Sequence, residues 1–436
     1  MPRYLVRNLA PAVFAAWLAI CLGACGAAPP GAPPSTDRIV DRAWVELTDR
    51  GPEARLVTAD ASCPQAMIDG RQKPMDQRSG PTEAFPLTVC ELLLPADAQS
   101  ASVEGRLLPL PKAQPRRLLI FGDTGCRLKG SLVQDCNDPR AWSFPAVARW
   151  AASHHPDLVI HVGDYYYRET PCPGGHAGCS GSPFGDNWAA WDADFFGPAT
   201  SLLAAAPWVM VRGNHEDCKR GGPGWFLLLD AAPRPLPCPS AAAPMAIDIG
   251  GLKLGVLDSS ETDDAFAPRD LVAAFRAQFE SVAAQAKGEP LWLVTHRPVW
   301  GLAPVIRVGS LGPVETPINA TEEAALGGED LSDVQMIVSG HIHHFASFSF
   351  EGDRPAQLVV GTGGDVGDPG DRSASFSDVV DLAGMKARRF GHARYGFLIL
   401  DRSAGGWDGA FYDAQDHLIA RCAIRGRELS CASAAG

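Results

Sequence analysis

The sequence predicts an α/β fold in which buried sheets are covered by helices, preceded by a smaller β-rich region. Two observations carry this. From residue 116 onward, short apolar runs rich in Val, Ile and Leu alternate with helical stretches, the pattern of sheets buried on both faces. Over 41–115 the apolar runs are shorter and are broken by Gly, Pro and Asp, which reads as a small sandwich-like β domain. The chain has 436 residues, 46% of them hydrophobic, which is enough to bury a large core and to form two or three domains.

Taken in order, residues 1–24 have the features of an export signal: Arg3 and Arg7 precede a short apolar stretch over 11–22, too short to span a bilayer. Leu22-Gly23-Ala24-Cys25 resembles the lipobox of bacterial lipoproteins, which makes Cys25 the expected lipid-anchored first residue of the mature chain. An ordinary secretory cut after Ala24 is the alternative. Residues 25–40, rich in Ala, Pro and Gly, read as a flexible tether. The expected location is the periplasm or the outer membrane of a bacterium, or secretion. Beyond Cys21 and Cys25, ten of the 12 cysteines remain. An even number in an oxidising compartment favours disulfides, and their grouping into five close couples suggests sequential pairing. The net charge of -12 argues against non-specific nucleic-acid binding, and no basic stripe offsets it.

The second region, 116–436, is expected to be catalytic. Strands are predicted over 118–121, 158–162, 208–211, 252–257, 291–295, 334–339 and 358–360, helices over 144–153 and 269–286, and closing strands over 395–424. Five of the predicted strands run into groups that suit a metal: Gly122-Asp123-Thr124-Gly125, Gly163-Asp164-Tyr165-Tyr166-Tyr167, Gly213-Asn214-His215-Glu216, Thr295-His296-Arg297 and Gly340-His341-Ile342-His343-His344. Strand ends are where open α/β sheets gather catalytic side chains. A carboxylate and a tyrosine three residues apart share a face in a turn, and the glycines allow close backbone approach.

These five blocks, in this order over about 116–364, resemble the calcineurin-like metallophosphoesterase family and, within it, the purple acid phosphatase branch. The resemblance implies a β-sandwich flanked by helices, α/β/β/α. It implies two metal ions: Fe(III) held by Asp123, Asp164, Tyr167 and His343, and a divalent Zn, Fe or Mn held by Asn214, His296 and His341, with Asp164 bridging both. Hard anionic oxygens suit the ferric ion, and amide oxygen with imidazole suits the divalent one. The implied reaction is hydrolysis of a phosphate monoester by a metal-bound hydroxide, with His215 beside the leaving group as proton donor or hydrogen-bond partner.

Other residues carry weaker expectations. Arg297 matches phosphate oxygens, and His176, in a loop over 170–183, is a candidate substrate contact. His161, alternating with apolar neighbours, is expected to be a core histidine. A phosphodiesterase acting on nucleotide or lipid head-group esters shares the same metal core and is the enzymatic alternative. A surface protein with a structural metal site is the non-catalytic one. The sequence contains neither a Gly-x-Ser-x-Gly elbow nor a Gly-x-x-x-x-Gly-Lys loop, so serine-hydrolase and P-loop chemistry find no support.

Overall fold

The computed structural model describes residues 41–232, 238–306, 313–366 and 375–434. The expected targeting segment, the tether and Cys25 lie outside the described residues. Two large sheets dominate. The first has eleven strands. Its N-terminal members are β1 (Arg42–Thr48), β2 (Gly51–Thr58), β3 (Asp76–Ser79) and β4 (Thr88–Leu93); its centre is β5 (Arg117–Phe121), β6 (Leu158–His161) and β7 (Trp208–Met210). The second has eight: β8 (Met245–Asp248), β9 (Lys253–Val256), β10 (Leu291–Val294), β11 (Val334–Ser339), β12 (Phe345–Phe350), β13 (Ala356–Val360), β14 (Ser375–Leu382) and β15 (Met385–His392). The C-terminal strands β16 (Gly396–Ser403), β17 (Gly406–Asp413), β18 (Leu418–Arg425) and β19 (Glu428–Ser433) return to the first sheet. Its order is β19-β18-β17-β16-β5-β6-β7-β1-β2-β4-β3, and that of the second is β8-β9-β10-β11-β13-β12-β15-β14.

Strand periodicity decides how the layers stack. Leu118 and Ile120 of β5 face Val294, Met336 and Leu358 in the core between the sheets. Leu119 and Phe121, one residue out of phase, pack outward against helix α1 (Phe144–Ser153). On the far side, Phe275, Phe279 and Val282 of α2 (Arg269–Ala286) cover Leu291, Leu293 and Ile337 of the second sheet. The result is the expected α/β/β/α sandwich, and both helices have the bounds that the sequence predicts. Among the described residues no helix is long and apolar enough to cross a membrane.

Residues 41–115 are not set apart from this sandwich. Strand β1 pairs in parallel with β7, Glu46 opposite Trp208, so the N-terminal strands extend the central sheet, and the described residues fall in one compact unit. One face of these strands keeps a small core of its own, with Val45, Leu56, Ile68 and Val103. The other, through Trp44, Val57 and Val89, joins the main core. A long-range pairing of this kind leaves no local trace, which is why the sequence suggested a boundary at 115. Two buried arginines strengthen the junction. Arg78 donates to the carbonyls of Phe226 and Leu227, and Arg55 to those of Leu228 and Asp230, at the end of the short helix Gly222–Leu228. These are the carbonyls that a helix terminus leaves unpaired.

Five disulfides join neighbours in sequence, as expected: Cys63–Cys90, Cys126–Cys136, Cys172–Cys179, Cys218–Cys238 and Cys422–Cys431.

Candidate metal centre

The parallel strands β5, β6, β7, β10 and β11 all end at the same edge of the sandwich, and each delivers one of the five blocks. Asp123, Asp164 and His341, the first donor after three of these turns, adopt left-handed φ values of 59°, 59° and 69°. Non-glycine residues in this region are strained, and such residues gather at functional sites. Glycines in these blocks are set by steric need: a Cβ on Gly213, before Asn214, would lie 2.1 Å from Asp164 Oδ1, and one on Gly163, before Asp164, would lie 2.5 Å from His296 Nδ1.

Two donor clusters result. In the first, Tyr167 Oη lies 2.8 Å from Asp164 Oδ2, 3.2 Å from Asp123 Oδ1 and 3.2 Å from His343 Nε2, and His343 Nε2 is 3.2 Å from Asp123 Oδ1. In the second, Asn214 Oδ1 lies 3.0 Å from His296 Nε2 and 2.8 Å from His341 Nδ1, while His296 Nε2 is 3.2 Å from Asp164 Oδ2. Asp164 Oδ2 belongs to both. Asp123, Tyr167 and His296 are wholly buried, and Asp164, Asn214 and His343 nearly so.

The donors fit metal ions. A phenol has one proton, yet Tyr167 Oη faces two carboxylate oxygens besides a ring nitrogen, so at least one of its contacts brings lone pairs together unless a cation lies among them. Ligands about 2.0–2.2 Å from a metal and at right angles to each other are roughly 2.8–3.1 Å apart, close to the spacing here. Burial first, then the carboxylates of Asp164 and Asp123, push the phenol well above its ordinary value, a balance that a cation reverses. In the second cluster burial works against protonation of His296, but Asp164 outweighs it and pushes the imidazole up to about 9. The site calls for positive charge at that point. All three histidines have an outer partner of the kind that orients metal-ligating imidazoles. His296 Nδ1 meets the Val162 carbonyl at 2.8 Å, His343 Nδ1 the Val366 carbonyl at 2.8 Å, and His341 Nε2 is 3.2 Å from Asp264 Oδ1.

The His215 ring lies against the Tyr167 ring, tilted by 36°, with centroids 3.9 Å apart. Its Nδ1 is 2.6 Å from Glu169 Oε1 and its Nε2 is 4.0 Å from Asp164 Oδ2; its backbone N–H donates to Asp164 Oδ1 at 2.8 Å. Arg297 lies beside the second cluster, with Nη1 3.3 Å from His341 Nε2 and ion-paired to Asp264. His176 is 41% exposed and bonds Asp135 at 2.7 Å; no described contact joins it to the two clusters. His161 is a core histidine, as expected: it is buried, stacked on Tyr165 and bonded to Thr124 Oγ1 at 3.2 Å.

Four supporting acids have roles that the sequence did not predict. Glu216 is buried and accepts backbone N–H groups from Asp164, Tyr165, Tyr166 and Gly213 at 2.8–3.1 Å, which ties the second block to the third. Its place directly after Asn214-His215 was the available signal. Glu169 and Asp264 reach the site from loops with no motif around the acid, and Asp365 directly follows the glycine-rich strand end Gly361-Thr362-Gly363-Gly364.

The fold and this donor set define a metal-dependent phosphoesterase hydrolase. The chain belongs to the calcineurin-like phosphoesterase family, whose sequence profile matches residues 116–345, so a dinuclear metal site and a phosphate-ester substrate follow. Among solved structures, a purple acid phosphatase, PPD1, from yellow lupin seeds is similar at 14% identity and a TM-score of 0.53, over 90% of this chain and 74% of that one. PhoD is similar at 11% identity and a TM-score of 0.52, over 91% and 92%. Both likenesses are of fold. A comparison with curated protein sequences finds no match.

Proposed function

We propose that this chain is an exported acid phosphatase-like enzyme that hydrolyses phosphate monoesters. The observation that carries the reading is the placing of Tyr167 Oη against Asp123, Asp164 and His343, a hard, anionic donor set suited to Fe(III). Asn214, His296 and His341, with Asp164 shared, suit a divalent Zn, Fe or Mn. When bound there, two such cations would supply activation of a water molecule and charge neutralisation for an in-line displacement. The chain's own residues do the rest. His215, paired at Nδ1 with Glu169, turns Nε2 toward the crevice and, in its doubly protonated form, which burial holds down to about pH 4, gives a hydrogen bond or proton to the leaving oxygen. Arg297, fixed by Asp264, contributes charge to phosphate binding. Five disulfides support export, and lipid attachment at Cys25 extends that reading to a membrane-anchored periplasmic protein.

Turnover of p-nitrophenyl phosphate compared with its bis ester tests the reaction. A preference for the monoester is expected. Activity mainly on the diester would overturn the reading in favour of a phosphodiesterase, and failure of the metal-loaded protein on a panel of phosphate esters would favour a structural metal site.

A further inference from the structure

Behind the first donor cluster runs a closed ring of contacts drawn from four separate loops. Arg127, four residues after Asp123, directs Nε to both carboxylate oxygens of Asp365, at 3.2 and 3.0 Å, and its Nη2 also pairs with Oδ2. Asp365 is buried, and its Oδ2 lies 3.1 Å from Nδ1 of His343. That Nδ1 also faces the carbonyl of Val366 at 2.8 Å. The Val366 N–H donates to Gln134 Oε1 at 3.1 Å, and the backbone N–H of Arg127 donates to the same oxygen at 3.1 Å, which closes the ring. Two further ties reach the other donors. Asp365 N–H donates to the carbonyl of Asp123 at 2.9 Å, and the Arg127 guanidinium lies over the Tyr167 ring, 5.0 Å from its centroid.

We propose that Arg127, Asp365 and Gln134 are the positioning residues of the first metal site, acting through His343. This rests on the reading of Asp123, Asp164, Tyr167 and His343 as its ligands. An imidazole that binds metal through Nε2 must keep its proton on Nδ1, and an outer acceptor holds the ring in that tautomer and angle. Here the acceptor is doubled, a carbonyl and a carboxylate. Arg127 holds Asp365 at both carboxylate oxygens and so fixes the oxygen that faces His343. Gln134 holds the backbones of Arg127 and Val366 together, so the arginine and the carbonyl keep their places relative to the imidazole. An ion pair needed for folding alone would require neither the second carboxylate contact nor the amide that bridges the two backbones.

The test uses the full chain loaded with zinc and follows release of the two ions to a chromophoric chelator. In Asp365→Asn one ion is expected to leave about 10- to 100-fold faster, with the other unchanged. Arg127→Lys, which keeps the charge but loses the planar fork, is expected to fall between that variant and the parent. Release of both ions at parental rates from folded Asp365→Asn would overturn the proposal, as would equal acceleration of both, the mark of general loosening. If Asp365→Asn does not fold, Gln134→Ala leaves the charge pair intact and is expected to show the same selective release; parental rates there would also overturn it. A parent chain that holds fewer than two zinc ions overturns it as well. A parent that hydrolyses only diesters overturns the proposed substrate and leaves this inference standing, so the two failures are distinguishable.

Discussion

Replacing Tyr167 with Phe removes one oxygen and leaves a ring of the same shape against His215. The expected result is loss of the ion held by Asp123, Asp164 and His343 with retention of the other, read by metal analysis. In protein loaded with iron it should also abolish a visible phenolate charge-transfer band. An unchanged spectrum and unchanged activity would remove Fe(III)–tyrosinate from the reading and spare the dinuclear site. His215→Asn is a different kind of change, since the imidazole is not itself one of the proposed ligands. Here kcat on p-nitrophenyl phosphate should fall by about 10²–10⁴ with metal content intact, the range of positioned proton transfer; a drop in metal content instead would reassign His215 to structure. At this scale the sequence was legible where chemistry restricts residue type. Seven donors at five strand ends are an improbable coincidence, and they meet within hydrogen-bonding distance. Glu169, Asp264 and Asp365 were not legible, because each acts through a partner far along the chain, as Arg127 and Asp365 do across 238 residues. An isolated acid in a loop looks like any solvated acid.

The elements behave likewise. Apolar runs bounded by Gly and Asp marked the central strands within a residue or two, because strands buried on both faces leave little choice of residue. What stayed hidden was which strands are neighbours. Hydrogen bonds between β1 and β7 connect segments whose own patterns say nothing of each other, so the N-terminal strands read as a separate domain. The arginines that secure the helix Gly222–Leu228 follow from that pairing. Arg55 is fully buried between Glu46 and Glu53, at 2.8 and 2.7 Å. Arg55→Ala would leave buried carboxylates without their cation and remove the donor to the carbonyls of Leu228 and Asp230, at a cost on the order of 3–5 kcal/mol. Urea unfolding at fixed metal concentration measures this. A loss under about 1 kcal/mol would mean that the acids are neutral in the native protein, or that Arg78 compensates.

For the molecule as a whole, the crevice sits where two sheets meet at their C-terminal strand ends, so ions bound there join β5, β6 and β7 of one sheet to β10 and β11 of the other. Chelation should therefore lower thermal stability as well as activity. With free metal at about a thousand times Kd, each site contributes about 4 kcal/mol. Calorimetry with EDTA, and again after zinc is restored, checks this; a melting temperature that ignores EDTA would mean that the two sheets hold the site rigid without ions. The parallel pairing of β1 with β7 has a further consequence, in time rather than in space. Glu46 leaves the ribosome 162 residues ahead of its neighbour Trp208, which at roughly 5–20 residues per second is a delay of about 8–32 s. During that interval the β1–β2 hairpin has only itself and β4 to pair with, and its inner edge is open to other chains. A fragment cut at residue 116 would meet the mirror-image difficulty, with the edge of β7 left bare.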